Sequence, residues 1–336
     1  MTAHAHSAAE TGGRAHERAT RLGLAYCVGA YVWWGVSGAY FKLLPGVPPV
    51  AVLCHRVVWS VLVLVVLLWW GRAWGEVRAA VGRRDVLGWL TVSSLLIAGN
   101  WLVFIYSAAT NRLVESSLGF FINPLFTVIL GMVFLKERLR PAQHFAAALA
   151  TAALVYLAFT HGGVPWISLA LPALFGFYSL IRKRTPVGPL AGLFVETAIL
   201  GPAALAYMIW AHTREGAAFN TAGTWGILSL AGVVTTLPML WFIAAARRLP
   251  LTTVGFLQFI NPTLQFLTAV VIFGEPFGRE RAIAFSLIWV AVGVFIADSV
   301  RAGWRRREEK EAARESSENR AEHGHGVVPQ ASGDGP

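Results

Sequence analysis

The chain has 336 residues, of which 56% are hydrophobic and only 14% charged, with a formal net charge of +10. A soluble domain carries about 25% charged residues, so this composition excludes an ordinary soluble globular protein. The basic excess lies in short connectors and in the tails rather than on one face, which argues against a nucleic-acid partner and for a membrane topology signal.

Residues 1–20 are polar and read as a disordered cytoplasmic N-tail with no cleavable signal. From there, apolar stretches alternate with basic connectors. Each stretch is long enough to cross the roughly 30 Å hydrocarbon core as a helix. Strand-type alternation is absent, and lipid admits only helices or closed barrels. Ten spans are predicted, at about 22–41, 50–70, 86–109, 114–135, 142–160, 164–181, 188–211, 224–246, 251–273 and 281–299. The sixth is the least regular, being short and holding Pro172 and Gly176. Cys27 and Cys54 fall inside spans and read as small buried hydrophobes. Residues 301–336 form a basic segment followed, from 308, by a Glu-, Ser-, Gly- and His-rich cytoplasmic tail expected to be disordered. His323 and His325 read there as exposed tail residues rather than metal ligands.

Lys and Arg in short loops set the orientation. With the N-terminus in the cytoplasm, nineteen basic residues fall inside, among them Lys136, Arg138, Arg140, Arg182, Lys183, Arg184, Arg247 and Arg248, against five outside. Both termini are therefore expected in the cytoplasm.

A motif occurs twice. Phe121-Ile122-Asn123-Pro124 and Phe259-Ile260-Asn261-Pro262 lie 138 positions apart, and Glu137 and Glu275 follow at equal distance. Leu113 matches Leu251, and Phe104-Ile105 matches Phe242-Ile243. Trp34-Gly35 to Lys42 resembles Phe175-Gly176 to Lys183 at an offset of 141. Such register points to duplication. Each half, 21–160 and 164–300, holds an odd number of spans, so the copies enter the membrane from opposite sides. The expected fold is an all-α integral membrane protein of ten transmembrane helices in two inverted five-helix repeats. A substrate site is expected near the midplane between the halves.

Ionisable groups inside spans cost on the order of 2.5–3.5 kcal/mol at mid-helix and call for partners or a purpose. Glu196 lies among apolar residues with no basic residue four positions away on its helix. It reads as a proton-coupling site or a counter-charge for a cationic substrate, or as a protonated glutamate bonded to a neighbouring backbone. His55-Arg56 lies about a turn into the second span. It reads either as a snorkelling pair or as an anion contact with a titratable imidazole. Glu115 opens the fourth span, where it either touches substrate or complements the helix dipole. Glu137 and Glu275 read as interfacial anchors or inter-helix partners. Proline lacks an N–H, so Asn123-Pro124 and Asn261-Pro262 free the carbonyls of Phe120 and Gln258 and form polar notches. Gln258 and Gln265 make the ninth span the more polar copy. Asn100, Asn123, Gln258 and Asn261 are expected to supply hydrogen bonds. Trp34, Trp101, Tyr178 and Trp241 are expected to wall a cavity fit for planar or cationic groups. Other tryptophans, such as Trp69, Trp70 and Trp210, fit the interfacial belt. No metal, phosphate-loop or nucleophile motif occurs, so neither cofactor nor enzymatic activity is proposed.

These residues resemble the EamA-type transporters of the drug/metabolite superfamily, and within them the RarD-type branch. The resemblance is carried by Trp34-Gly35, Tyr40, Lys42, His55-Arg56-Val57-Val58-Trp59-Ser60, Asn100-Trp101, Val114 to Pro124, Glu196-Thr197 and Leu257 to Pro262. It covers nearly all of 21–300 and departs at Phe120-Phe121, where Tyr-Phe is expected. It implies transport of small organic molecules, with chloramphenicol sensitivity or resistance associated with branch members. The expectation is a secondary transporter of the inner membrane, an exporter of drugs or metabolites working by alternating access, driven by an ion gradient, protons being one candidate, or by the substrate's own gradient. Its partners are a small-molecule substrate and the bilayer, in a monomer or homodimer. The rivals are an amino-acid or metabolite importer or exchanger, and a non-transporting membrane scaffold or sensor.

Overall fold

The structure, a computed structural model, describes residues 2–37, 40, 43–44, 46–110, 112–160, 166–214, 222–267 and 278–324. Lys42, Glu275 and His325 lie outside the described residues, as do the side chains of Glu115, Gln265 and His323. All regular structure among the described residues is helical. In chain order it comprises α1 (Thr2–Val36), α2 (Pro49–Trp70), α3 (Trp74–Gly82), α4 (Arg84–Ala109), α5 (Leu113–Leu135) and α6 (Pro141–Thr160). The second part holds α7 (Trp166–Arg184), α8 (Pro189–Arg214), α9 (Ala222–Arg248), α10 (Leu251–Leu257), α11 (Ile260–Leu267) and α12 (Arg279–Gly324).

Six helices are long and apolar enough to cross a membrane, through Val50–Trp70, Arg84–Ser107, Pro141–Thr160, Pro189–Ala211, Gly223–Arg248 and Ala282–Ala302. A shorter apolar stretch runs over Gly119–Leu135 in α5. The remaining expected spans correspond to α1, α7 and the α10–α11 pair, which carry basic ends, buried polar groups or a break. Large apolar side chains face outward all round the bundle, among them Trp70 and Phe159, each 81% exposed. Such a surface is suited to lipid and not to water.

Three local features differ from the sequence expectation. Helix α1 begins at Thr2 and α12 runs on to Gly324, over residues 2–20 and 308–324 of the two segments expected to be disordered. Ala, Glu and Arg dominate those segments and are strong helix formers. The connector after the second span holds the short helix α3, whose Val77 and Ala80 are buried against Val86, Leu90, Val187 and Ala191. The ninth span is broken between α10 and α11, whereas α5 runs unbroken past Pro124. At the break the Gln258 carbonyl accepts the Asn261 N–H at 3.1 Å, a tighter turn that recovers part of what Pro262 removes.

The packing repeats itself between the halves. Helix α5 packs on α7 as α1 packs on α10 and α11; α1 packs on α9 as α7 packs on α4; α9 packs on α2 as α4 packs on α8. The pairs α2–α8, α5–α10 and α6–α12 join like to like. A Cβ at Gly35 would lie 2.6 Å from the Leu264 Cβ, and one at Gly176 would lie 2.7 Å from Phe126, which is 138 positions before Leu264. The α6–α12 seam is built from Ala146, Ala150 and Ala153 with Ala284 and Ala291, small residues that let backbones approach in a membrane, and Ile288 packs among them. The larger core joins both halves through Tyr31, Leu64, Tyr178, Met239, Phe242 and Val254.

Candidate substrate-binding and coupling site

A chamber of about 20 Å³ lies inside the bundle, lined by Arg56, Val57 and Ser60 from α2, Ile97 and Trp101 from α4, Leu193, Glu196, Thr197 and Leu200 from α8, and Thr235, Thr236 and Met239 from α9. Two of its twelve lining residues carry charge, of opposite sign. Arg56 turns inward rather than to the interface. Its Nε donates to Thr235 Oγ1 at 2.9 Å, and its Cζ sits 5.3 Å from the centre of the Trp101 ring. Cation–π contact and a hydroxyl acceptor suit a guanidinium held for recognition.

Glu196 is 2% exposed and is held on several sides. Ser93 Oγ donates to its Oε1, and the Tyr178 hydroxyl stands 3.5 Å from its Oε2. Ser94 Oγ donates to the Glu196 backbone carbonyl at 3.0 Å. The Arg182 Nε lies 3.4 Å from Oε1, forming an ion pair between two buried side chains. This corrects the reading of Arg182 as part of a cytoplasmic connector. Helix α7 extends through Arg184, and the turn that begins four residues after Tyr178 carries Arg182 on the same buried face, at 0% exposure. Gly192 makes room for it: a Cβ there would lie 2.8 Å from the Arg182 Cζ.

Not all residues expected at the site meet at the chamber. Glu196, Arg56 and Trp101 line it, and Tyr178 touches it through Glu196. His55 is buried beside Trp225 of α9, ring centres 5.0 Å apart, with no hydrogen-bond partner at Nδ1. Asn100 donates through Nδ2 to the Leu171 carbonyl at 2.9 Å, pinning α4 to α7. Asn123 and Gln258 are buried at the α5–α10 crossing. There Thr127 Oγ1 donates to the Asn123 carbonyl at 2.9 Å and lies 3.3 Å from Gln258 Oε1. Asn261 lies on the far side of that crossing, its carbonyl facing Gly35. Trp34 does not wall the chamber; it packs into an aromatic core with Tyr31, Phe175 and Phe242. Trp241 lies against Gly29 and lines a separate open cleft of about 650 Å³ with Tyr26, Trp70 and Leu237. Trp34 and Trp241 were expected at the site because they are aromatic and deep. Depth does not say which face of a helix a ring takes.

The repeat-linked Glu137 acts between helices. Its carboxylate accepts the Leu251 N–H at 2.7 Å and the Thr252 N–H at 2.8 Å, capping α10. Pro250, the N-cap residue, has no side-chain donor or acceptor to offer there.

Residues 21–159 match the model of the EamA-like transporter family. The chain is 45% identical over 285 residues to an "Uncharacterized transporter" of Vibrio cholerae, covering 84% of this chain and 94% of that one. It is 41% identical over 283 residues to "Protein RarD" of Escherichia coli K12, covering 84% and 96%. The chain belongs to the EamA-like transporter family, in its RarD branch. Similarity extends, at 32% identity over 288 residues, to the "Chloramphenicol-sensitive protein RarD" of Pseudomonas aeruginosa, covering 84% of this chain and 96% of that one. One crystal structure with 19% identity superposes with a TM-score of 0.64, covering 85% of this chain and 99% of that one, a likeness of fold. This EamA-like protein is thus a multi-pass membrane transporter of small molecules, and that kinship suggests a non-enzymatic function.

Sequence reasoning missed Arg182, Ser93, Ser94, Gly192, Thr235 and Thr236. The spacing of Tyr178 and Arg182, and that of Gly188, Gly192 and Glu196, could have flagged two helix faces in contact. Serine and threonine in a span carry no comparable signal.

Proposed function

We propose that this protein is a secondary transporter of the bacterial inner membrane, exporting small dipolar molecules by alternating access between two inverted five-helix repeats. The observation that carries this reading is one chamber lined by both Arg56 and Glu196 with an otherwise largely apolar wall. A guanidinium suits a carboxylate or other anionic group, and the glutamate suits an ammonium or a proton. Trp101, Ile97, Leu193 and Met239 suit an apolar body. At about 20 Å³ the chamber is too narrow for cargo, whereas ligand sites for drug-sized molecules measure roughly 300–1,000 Å³. Loading therefore requires the halves to part. The like-for-like helix pairing supports the inverted repeat, and the basic loops support cytoplasmic termini. Export rests on kinship, and the name of the Pseudomonas relative favours drug-like cargo. The opposed charges equally favour an amino-acid exchanger, so the cargo's charge is tested first.

The test uses full-length protein in proteoliposomes and three probes: L-phenylalanine, its cationic amide and its anionic N-acetyl derivative. The zwitterion is expected to give the strongest thermal stabilisation and counterflow; at about a hundred times Kd, binding stabilises by about 2.7 kcal/mol. Glu196→Gln should abolish the effect of a pH gradient on flux. Equal stabilisation by all three probes, or none, would remove the dipolar reading. A scaffold or sensor predicts no flux in any variant.

A further inference from the structure

The side chains along one face of α8 do something the transport reading alone does not require. Gly192 and Glu196 stand four residues apart on that face, about 6 Å along the axis, and Gly188 lies just before the helix, its carbonyl accepting the Gly192 N–H at 3.0 Å. Arg182 fills the notch at Gly192. It is wholly buried, its Nε 3.4 Å from the Glu196 carboxylate and the Tyr178 hydroxyl its other neighbour, and none of its three guanidinium nitrogens is placed for a well-formed hydrogen bond. The notch at Gly188 holds a second carboxylate, that of Glu76 from α3; a Cβ there would collide with it. Glu76, Arg83, Val187, Gly188 and Arg247 line an open cleft of about 390 Å³ at the basic end of the bundle, so Glu76 is, among the described residues, the one carboxylate there beside two arginines. One guanidinium therefore lies between two carboxylates on a track without side chains, one carboxylate in the chamber and one in the cleft.

We propose that Arg182 is a switching counter-ion. It pairs with Glu196 while that carboxylate is ionised and open, and moves along the glycine face to Glu76 when a proton or the cationic group of the cargo takes Glu196. The physical driver is the cost of an uncompensated buried charge, which is far greater than that of a paired one. Once Glu196 is neutralised, Arg182 has no anion left in the chamber, and Glu76 is the carboxylate one turn away along its track. Occupancy of the chamber is thereby reported to the cleft where α3 and α9 meet the connector before α8. Arg182 acts through Glu196 and is a positioning residue. The inference rests on the reading of Glu196 as the coupling carboxylate, but its test needs no cargo.

Glu76 is exposed and open to a water-soluble carbodiimide with an amine nucleophile. The extent of modification is read by peptide mass spectrometry on the purified full chain. Glu196→Gln imitates the occupied carboxylate. It should slow modification of Glu76 about fivefold, the order expected of one partly exposed ion pair. In Glu196→Gln/Arg182→Met, modification should return to the wild-type level. Glu196→Ser serves in the same comparison if the glutamine variant is not monodisperse. An unchanged rate in the single variants, or a slowing that persists without Arg182, would overturn the switch. The flux experiment with the phenylalanine series decides the transport reading separately.

Discussion

Arg56 and Glu196 share a chamber but are held in different ways. Arg56 donates to the Thr235 hydroxyl and lies over the Trp101 ring, whereas Glu196 has Ser93, Tyr178 and Arg182 about its carboxylate. Ser93→Ala removes a donor to a buried charge and is expected to cost about 1.5–3 kcal/mol, read as a lower thermal midpoint in detergent. Tyr178→Phe, whose hydroxyl stands farther off at 3.5 Å, should cost less. A larger loss in Tyr178→Phe than in Ser93→Ala would invert the assignment. At this scale the sequence shows a chemistry-bearing residue when it is out of place among its neighbours. Glu196 and Arg56 stand out in apolar runs. Arg182 did not, because Lys183 and Arg184 follow it and the three read together as a loop. Only the extension of α7 by one turn reveals that it points inward.

Helix ends and close helix crossings carry the next set of expectations. The α10 N-terminus is capped from 114 residues away by Glu137, and Lys183 donates to the carbonyls of Ala246 and Leu249 at the end of α9. Arg184 likewise donates to the Phe134 carbonyl near the end of α5. Glu137→Gln should cost about 1–2 kcal/mol, the worth of a helix cap, while ligand-induced stabilisation stays unchanged. Two glycines of α9 give a sharper contrast. A Cβ at Gly232 would lie 2.6 Å from the Trp59 backbone carbonyl, so Gly232→Ala should cost about 1–3 kcal/mol by overpacking. A Cβ at Gly226 meets nothing within 4 Å, so Gly226→Ala should stabilise by about 0.5–1 kcal/mol. Thermal midpoints moving in the same direction for both would contradict the packing of α2 against α9. The Asn-Pro notches were legible as features of the chain, but their outcome was not. Both prolines remove the same hydrogen bond, yet α5 is continuous and the ninth span is divided.

For the molecule as a whole, the account depends on two halves of common plan meeting about one axis. Helix pairs recur when each helix is exchanged for its counterpart, and Trp34 meets its counterpart Phe175 with ring centres 6.1 Å apart. The duplicated motif leads to the expectation of this plan from residues alone, because a shared register reflects a shared fold. Which side chains face the chamber depended on helix rotation, which the repeat does not encode. The most direct measurement of the plan places single cysteines at Arg138 and Arg184, both exposed, in a background with Cys27 and Cys54 replaced by alanine. A membrane-impermeant maleimide is then applied to right-side-out and inside-out vesicles. The account predicts that both positions are labelled from the cytoplasmic side only. Labelling of the two from opposite sides would contradict the inverted arrangement and the chamber placed between its halves.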